Sequence, residues 1–500
     1  MNTGSGLPDA FLGLDLGTTE CKALALDSRG HVLAEYRQAC VLEQPSPGYA
    51  EQDACQWWSQ AAAAIRHLSG QLSRSHVIRA LGLSTQGISF VPVDRQGQPL
   101  GRAISWLDSR AGEQVHELEH KLPRAAFYQR TGKRLNAAYT LPKLMWLEQN
   151  KPELAGRTWK YLLPLDYLTL QLTGRAVTDY AMASGTLAFN IHTGQWDSEI
   201  LALSGIAGDK LPSVGLAGSP VGPVLPGVCA GLGLPEGTMV HLGTQDQKCA
   251  ALAAGLGPGT ATVSLGTASA ISTLSTRPVL DEAMRIPLFA LGSGRWVLES
   301  VIGTACASLN WLSRTAFQGL SPEGMTRMAG DAPPGSNGLV FLPHLAGAGS
   351  PFWTDEPAGA ILGLSLATGS SDLARSVLEG IACQIRTNLG LHEQLTGQQL
   401  ETVRLFGGGS NSTLWCRIIA DLTGCTVWQM QPEMAALGAA LLALGRQEHE
   451  PGPHSAGAAP EPDAVRSSLV RQVYEPDPAG QAVYDRVYRR YRILEDKYLA

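Results

Sequence analysis

The chain has 500 residues, a formal net charge of −6 and 44% apolar residues, so it is long enough for two or three globular domains. Its basic residues are dispersed, which argues against nucleic acid as a partner. Nine cysteines without a C-x-x-C pair predict buried thiols in a reducing compartment. The first ten residues lack a signal-peptide pattern and no apolar run is long enough to cross a membrane, so we expect a cytoplasmic protein without a membrane partner.

The first patterned stretch, residues 11–27, predicts a β-hairpin. The turn between its two apolar runs consists of Gly17, Thr18 and Thr19. The two hydroxyls and the backbone N–H groups of this turn suit phosphate oxygens. Asp15 at the strand end is placed to hold Mg²⁺, directly or through water, and Lys22 adds positive charge nearby. The alternative is an ordinary hairpin with a tight turn, which this stretch alone does not exclude.

Polar residues follow the next predicted strands. Residues 77–84 have the pattern of a buried strand that ends near Gln86, and a further short strand leads into Asp108 and Arg110. Because α/β sheets place ligand groups at strand ends, these side chains are site candidates. A surface cap or an ion pair would explain Asp108 and Arg110 as well. Residues 111–205 are mostly helical, with helices near 111–129, 141–150 and 164–172, and predict an insertion on the first sheet.

Asp246 and Gln247 come directly after a strand predicted at residues 239–242 and just before a helix of small residues at 248–255. A carboxylate at such a junction is well placed for chemistry. It is equally the position of a residue that only caps the helix.

A second hairpin, residues 257–275, repeats the first in outline. Its turn carries Gly266 and Thr267, although the aspartate that precedes the first turn is absent here. This internal repeat predicts a duplicated domain. Residues 372–392 then have the period of a long core helix.

Three glycines at residues 407–409 separate a strand from a helix, so a ribose or a flat ring can approach the backbone closely there. Asn411 and Ser412 follow, either as helix caps or as nucleotide contacts. The segment lacks the Gly-Lys-Ser/Thr ending of a Walker A loop and misses the G-x-G-x-x-G spacing, so neither of those folds is favoured.

The C-terminal region divides into a connector and a helix. Residues 446–472 predict an exposed connector. The tail carries a stripe at helical spacing, formed by Tyr484, Tyr488, Tyr491, Leu494 and Tyr498. We interpret this stripe as a docking face rather than a ligand site.

Seven segments in this order resemble the FGGY carbohydrate kinases: DLGTTECK, EQDACQWW, ISWLDSRA, GTQDQKCAALAAG, VSLGTASA, GAILGLSLATGSSDLARSVLEGIA and LFGGGSNSTLWCRIIADLTGC. The resemblance implies an α/β protein with two actin-like (ribonuclease H-like) domains and a central cleft. It places the sugar-binding domain at residues 10–254, the ATP-binding domain at 255–446, and a connector with a C-terminal helix at 447–500.

The resemblance also implies roles for the candidate residues. Asp246 matches the catalytic base, and Asp15 matches the aspartate near the metal and the γ-phosphate. The substrate side would include Gln86, Gly87, Asp108 and Gln247. The ATP side would include Gly17, Thr18, Thr19, Lys22, Gly266, Thr267, Gly408, Gly409 and Asn411. The implied cofactors are ATP and Mg²⁺, and the implied partner is a small sugar; a homodimer is left open.

The substrate is less well indicated than the family. The motifs are most similar to xylulokinase-type members, which carry Gln-Met-His-Gly where this chain has Gln86, Gly87, Ile88 and Ser89. Glycerol kinases have Arg-Glu there, also absent, although Gln247 is similar to theirs. A second departure is Ala348-Gly349, where many members have Glu-Arg. The expected substrate is a ketopentose such as D-xylulose, with ribulose, glycerol, gluconate or an erythritol-like polyol as alternatives.

Two other function classes fit an actin-like core. ATP-driven chaperones and filament proteins hydrolyse ATP without phosphorylating a small molecule. A catalytically silent sugar-binding protein is the third possibility. The polar set of Asp246, Gln86, Asp108 and Gln247 argues against a chaperone or filament protein, because it suits a polyhydroxy ligand. The candidate base and the two Gly-Thr turns argue against a catalytically silent protein.

Overall fold

The computed structural model describes residues 6–445 and 469–499. These residues form two compact units. The first contains residues 6–253, 288–296 and 435–445, and the second contains residues 254–287, 297–434 and 469–499. Each unit is built around a sheet with helices packed against it.

The strands up to residue 245 are β1 Asp9–Leu16, β2 Glu20–Asp27, β3 Val32–Ala39, β4 Glu51–Gln52, β5 Val77–Thr85, β6 Val91–Val93, β7 Ala103–Ile104, β8 Lys160–Leu162, β9 Val177–Asp179, β10 Phe189–Asn190, β11 Gln195–Trp196, β12 Ser213–Gly215, β13 Pro220–Pro223 and β14 Met239–Gln245. The later strands are β15 Thr260–Ser264, β16 Ser269–Ser275, β17 Leu288–Gly292, β18 Arg295–Ile302, β19 Val340–Leu342, β20 Ala360–Leu362, β21 Thr402–Phe406, β22 Thr426–Met430 and β23 Val470–Tyr474.

The helices up to residue 253 are α1 Ala54–Leu72, α2 Gly112–Lys121, α3 Arg124–Thr131, α4 Thr140–Asn150, α5 Pro152–Arg157, α6 Pro164–Thr173, α7 Tyr180–Ser184, α8 Ser198–Ser204, α9 Pro226–Leu232 and α10 Asp246–Ala253. The later helices are α11 Cys306–Ala316, α12 Pro322–Gly330, α13 Ser370–Thr396, α14 Thr413–Thr423, α15 Met434–Ala443 and α16 Pro478–Leu499. Short 3-10 helices lie at Gly208–Lys210, Ser336–Gly338 and Gly408–Asn411.

The sheet of the first unit has the strand order β13-β14-β5-β1-β2-β3. Strand β1 is antiparallel to β2 and parallel to β5, and β5 is parallel to β14. The carboxyl ends of β1, β5 and β14 therefore lie at one edge of the sheet, which is where Asp15, Gln86 and Asp246 occur in the sequence.

The second unit repeats this arrangement, with neighbouring strands in the order β18-β16-β15-β21-β22-β23. Strand β15 is antiparallel to β16 and parallel to β21, and β21 is parallel to β22, as in the first sheet. The edge strands also correspond, because β23 is antiparallel to β22 as β13 is to β14. The duplication predicted from the two Gly-Thr turns is confirmed at the level of strand order.

Helix α15 groups with the first unit, although the sequence analysis assigned it to the 255–446 domain. It approaches the first sheet very closely, because a Cβ atom added at Gly82 would lie 2.0 Å from the Ala439 carbonyl oxygen. It also meets α10, since a Cβ atom at Gly438 would lie 2.3 Å from the Cys249 oxygen. Because Gly82 and Gly438 have no side chain, the backbones can approach each other this closely.

Two element predictions are wrong in detail. The helix expected at 111–129 is divided into α2 and α3, and the break falls at Pro123, whose ring cannot continue a helix. The connector expected at 446–472 overlaps β23, which pairs with β22; residues 446–468 lie outside the described part of the chain.

The C-terminal stripe docks as predicted on the second unit. Tyr484 and Tyr491 are fully buried in its core, and Tyr488 and Leu494 pack against that core. Tyr498, the last residue of the stripe, is half exposed. Within the described residues, no helix is both long and apolar enough to span a membrane.

Candidate active site

The turn after β1 presents the first group of predicted residues. Asp15 is buried at the strand end, and its Oδ1 accepts a hydrogen bond of 2.8 Å from the Ser84 hydroxyl at the end of β5. Lys22, across the hairpin from Asp15, forms an ion pair of 3.2 Å with Glu20. Thr19 is exposed, whereas Gly17 and Thr18 are partly buried. The two strand ends are thus tied together through a carboxylate and a hydroxyl.

Gln86 is the centre of a hydrogen-bond network at this edge. Its Oε1 accepts from the Thr18 hydroxyl at 2.9 Å and from the Ser89 hydroxyl at 3.3 Å. Its Nε2 donates to Gln52 Oε1 at 2.7 Å. The indole N–H of Trp106 donates to Thr18 Oγ1 at 2.8 Å. Gln86 therefore orients the first turn, and its role in substrate binding stays a prediction.

Trp106 is a site residue that the sequence analysis did not select. It is 39% exposed although its N–H is bonded to Thr18, so part of this residue remains accessible beside the network. Its position between a short strand and a charged segment was the feature by which the sequence could have indicated it. The sequence alone does not show that Trp106 reaches the turn 88 residues earlier.

Asp108 and Arg110 form a buried ion pair. The guanidinium donates to Asp108 at 2.7 Å and to Glu51 at 2.7 Å, and it stacks over the Tyr49 ring at 3.8 Å. Asp108 Oδ2 also accepts from the Ala50 N–H at 2.7 Å. The ion-pair interpretation explains the observed contacts of Asp108, and a direct substrate contact by this residue stays a prediction.

Asp246 is the first residue of α10, directly after β14. Its Oδ1 accepts a hydrogen bond of 2.7 Å from the Gln247 N–H, and both side chains are partly exposed. The helix therefore begins two residues earlier than predicted, at the carboxylate itself. An acidic group at this position is favoured by the dipole of the helix.

Two buried lysines of the first unit, Lys133 and Lys248, contact one aromatic ring. Lys248 is fully buried, and its ammonium lies 3.3 Å from the ring centroid of Phe289, while the Lys133 ammonium lies 3.9 Å from the same ring. Burial raises the pKa of Asp179 to about 6, although the Lys248 charge and the N–H groups of α7 oppose the rise. Two buried lysines thus share the Phe289 ring, and one of them, Lys248, lies two residues after Asp246 in α10.

In the second unit, the predicted nucleotide residues line one cavity of about 360 Å³. Those residues are Gly266, Thr267, Gly408, Gly409 and Asn411. The two turns meet there, because the Gly409 N–H donates to the Leu265 carbonyl oxygen at 3.0 Å. Arg471 of β23 donates to Asn411 Oδ1 at 2.7 Å and fixes that side chain.

The cavity has further polar lining residues that the sequence analysis missed. Asn310 lies on α11, and Glu323 and Thr326 lie on α12. These three residues lie more than 80 positions before the three glycines, so no local pattern links them to the cavity. Burial raises the pKa of Cys306, which also lines the cavity, to about 11 and keeps its thiol protonated.

The side chains present fit a metal site in which the protein supplies one carboxylate and the nucleotide phosphates and water supply the other ligands. Among residues 6–445 and 469–499, no group of three or more His, Cys, Asp or Glu side chains is arranged to hold an ion. Mg²⁺ in nucleotide sites commonly takes one or two carboxylates together with phosphate oxygens and water. Asp15, with Ser84 beside it, meets that requirement for the first unit.

Comparisons with known proteins agree with this organisation. Models of the FGGY family of carbohydrate kinases match residues 10–253 (N-terminal domain) and 261–445 (C-terminal domain). A xylulose kinase from Bacillus subtilis (strain 168) is 31% identical over 439 residues, covering 86% of this chain and 87% of that protein. A gluconokinase from the same organism is 28% identical and 87% of each chain is covered. The crystal structure of xylulose kinase from Rhodospirillum rubrum has a TM-score of 0.87 and 28% identity, with 98% of both chains covered.

These similarities confirm two predictions. The predicted α/β class with two actin-like domains is confirmed by the structural likeness. The resemblance stated from the seven motifs is confirmed by the two family matches, which together extend from residue 10 to residue 445.

Proposed function

Because the chain belongs to the FGGY family of carbohydrate kinases and is therefore a sugar phosphotransferase, we propose that it transfers the γ-phosphoryl group of ATP to D-xylulose, giving D-xylulose 5-phosphate. The observation that carries this proposal is the meeting of Asp15, Gln86 and Asp246 at one edge of the first sheet. The first unit would bind the sugar, and the cavity of the second unit would bind the adenosine part of ATP.

In this mechanism Asp246 accepts the proton of the reacting hydroxyl. The hydroxyl oxygen forms a bond to the γ-phosphorus, the bond from that phosphorus to the bridging oxygen breaks, and ADP leaves. The N–H of Gln247 holds Asp246 Oδ1 at 2.7 Å and so fixes the orientation of the base. Phosphoryl transfer depends mainly on positioning and on charge stabilisation, which a fixed carboxylate and the backbone donors of the Gly-Thr turns supply.

Asp15 is the residue that would hold Mg²⁺, directly or through water, together with phosphate oxygens. The chemistry supplied by the bound ion is neutralisation of the charge on the phosphates. The Ser84 hydroxyl donates to Asp15 Oδ1 at 2.8 Å and so helps to orient this carboxylate.

Other FGGY substrates form the second candidate. The similarity to a gluconokinase supports them, as does the presence of Gly87 and Ile88 where xylulokinase-type members carry methionine and histidine. A sugar site without a hydrogen-bonding side chain at such a position selects differently among polyols. Ribulose, glycerol, gluconate and erythritol are therefore the required comparison substrates.

The test is ADP release measured with ATP and each of these substrates. We expect the highest kcat/KM with D-xylulose. Asp246→Asn should fold and bind ATP but lose about 10²- to 10⁴-fold in kcat, whereas Asp209→Asn, which changes an exposed carboxylate of the same unit, should keep the wild-type rate.

Other results of the ADP-release assay would favour a different function or a different base. ATP hydrolysis that is independent of any sugar would favour the chaperone class, and sugar binding without ADP release would favour a silent binding protein. Near wild-type turnover by Asp246→Asn would exclude Asp246 as the base.

A further inference from the structure

Gln245 is the last residue of β14 and directly precedes the candidate base. Its Oε1 is shielded from solvent and accepts no hydrogen bond from any group within residues 6–445 and 469–499. A buried carbonyl oxygen without a donor is rare and destabilises a protein, so it calls for an explanation. The residue as a whole is partly exposed, which places the amide at the border of the site.

The space around the amide is created by Gly87. A Cβ atom at residue 87 would lie 3.0 Å from Gln245 Cγ and 3.3 Å from Gln245 Nε2. The Gln245 side chain therefore occupies the volume that a side chain at residue 87 would need. The parallel pairing of β14 with β5 sets Gln245 opposite Thr85 and brings these two positions together.

The neighbours of the amide belong to the candidate site. Gly87 follows Gln86, which is bonded to Thr18, and Gln245 precedes Asp246 in the chain. Because no described residue donates to the carbonyl oxygen, moving that oxygen by rotation about the last side-chain torsion gives up no hydrogen bond to it. The carbonyl is thus able to turn toward a donor that enters beside Asp246.

We propose that Gln245 is a specificity-determining residue whose amide binds one non-reacting hydroxyl of the polyhydroxy substrate. This inference rests on the proposed function, and it assigns a contact to a position next to the base rather than to the base itself. A hydroxyl donates one hydrogen and accepts another, so either end of the amide matches it, while an apolar substituent leaves the amide unpaired. Substrates that lack this hydroxyl are therefore disfavoured.

The first test replaces Gln245 by Leu and compares Gln114→Leu. Gln114 Oε1, on α2 of the same unit, is also buried and has no hydrogen-bond partner among the described residues. With the fastest substrate among D-xylulose, D-ribulose, D-gluconate, glycerol and erythritol, Gln245→Leu should lower kcat/KM about ten-fold, mainly through KM, and Gln114→Leu should leave it unchanged. Thermal unfolding without substrate should show that Gln245→Leu is at least as stable as the wild type.

The second test uses the mono-deoxy analogues of that substrate. Gln245→Leu should lose activity on every analogue except the one that lacks the bound hydroxyl, for which mutant and wild type should be equal. An equal loss on all analogues, or no change in KM, would refute the contact. If the wild type phosphorylates none of the five substrates, the proposed function fails instead, and the two failures are therefore distinguishable.

The third test uses Gly87→Ala, whose new methyl group displaces the amide. It should raise KM several-fold in the wild-type background and have little further effect on a Gln245→Ala background, because the shorter side chain leaves the space free. Additive effects of the two substitutions would show that Gly87 acts independently of Gln245 and would contradict the proposal.

Discussion

At the scale of single residues, burial determines the charge of Lys143. Its ammonium is fully buried and donates to the Ser105 carbonyl oxygen at 2.7 Å, next to Trp106. Burial lowers the pKa of Lys143 from 10.5 to about 7; the nearby Asp108 carboxylate opposes this decrease, and the Arg110 guanidinium adds to it. The residue therefore supports the Trp106 segment while losing its charge near neutral pH.

This pKa predicts a pH dependence of stability. Between pH 7 and 10.5 the unfolded chain holds a proton on Lys143 that the folded protein has released, so stability rises with pH in that window. Relative to Lys143→Met, the free energy of unfolding of the wild type should increase by about 1.4 kcal/mol per pH unit from pH 7.5 to 9.5. Urea unfolding of both proteins measures this difference. Parallel stability curves would show that Lys143 keeps its usual pKa.

The candidate residues show how far a sequence can predict a site. The positions of Asp15, Gln86 and Asp246 at strand ends were predicted because strand ends are recognisable from local patterns, and their roles stay predictions. Trp106 and Gln245 were missed because their contacts, with Thr18 and Gly87, join residues more than 80 positions apart. Asp108 was selected with the ion pair as an alternative, and only the positions of Arg110 and Glu51 reveal how its carboxylate is used.

At the scale of elements, the contact of α16 with α13 depends on a buried ionic network. Glu379 of α13 accepts from Arg375 at 2.8 Å and from the Tyr484 hydroxyl of α16 at 3.1 Å, and Arg375 donates to the same hydroxyl at 2.8 Å. All three side chains are buried. An exposed pair, Arg386 with Asp485, joins the same two helices at 2.8 Å.

Mutation should affect the buried pair Arg375–Glu379 and the exposed pair Arg386–Asp485 differently. Glu379→Ala should reduce the free energy of unfolding by about 3–5 kcal/mol, because it leaves the Arg375 charge buried and uncompensated. Asp485→Ala should reduce it by less than about 1 kcal/mol, because water screens the exposed pair. Urea unfolding, monitored by the tryptophan fluorescence of the two variants, makes the comparison. Similar losses for both would mean that burial does not decide the strength of this network.

The elements also show where sequence patterns fail. The long helix and the tyrosine stripe were predicted because their apolar period is regular over many residues. Strand β23 was missed because it follows a stretch of Pro, Gly and Ala and is defined by its pairing with β22 rather than by its own composition. The packing of α15 on Gly82 was missed because close backbone contact depends on a partner glycine far away in the chain.

At the scale of the whole molecule, duplication has produced two sheets of one topology with different groups at equivalent strand ends. Strands β1 and β15 both lead into a Gly-Thr turn, but Asp15 precedes the first turn and Ser264 the second. Gln86 follows β5, whereas Gly407 follows the corresponding strand β21. The Asp246 carboxylate suits a hydroxyl that must lose a proton, and the glycines at 407–409 suit a nucleotide that must approach the backbone. The proposed function thus assigns the two ligands to two units with the same strand topology.

Hydrogen exchange should reveal this division, because each ligand slows exchange at the backbone that it contacts. D-Xylulose alone should protect residues 84–89 and 245–248 in the first unit. A non-hydrolysable ATP analogue alone should protect residues 265–268 and 407–412 in the second unit. Mass spectrometry of peptic fragments after labelling measures both patterns.

Two further samples make the exchange experiment decisive. Asp246→Asn should retain the protection of residues 84–89 by D-xylulose, because that substitution removes the base and leaves the Gln86 network intact. Mannitol, added at the same concentration as a polyol of different length, serves as the control for non-specific effects of solute. Protection of residues 407–412 by the sugar alone would place the sugar in the second unit and overturn the assignment of the two ligands.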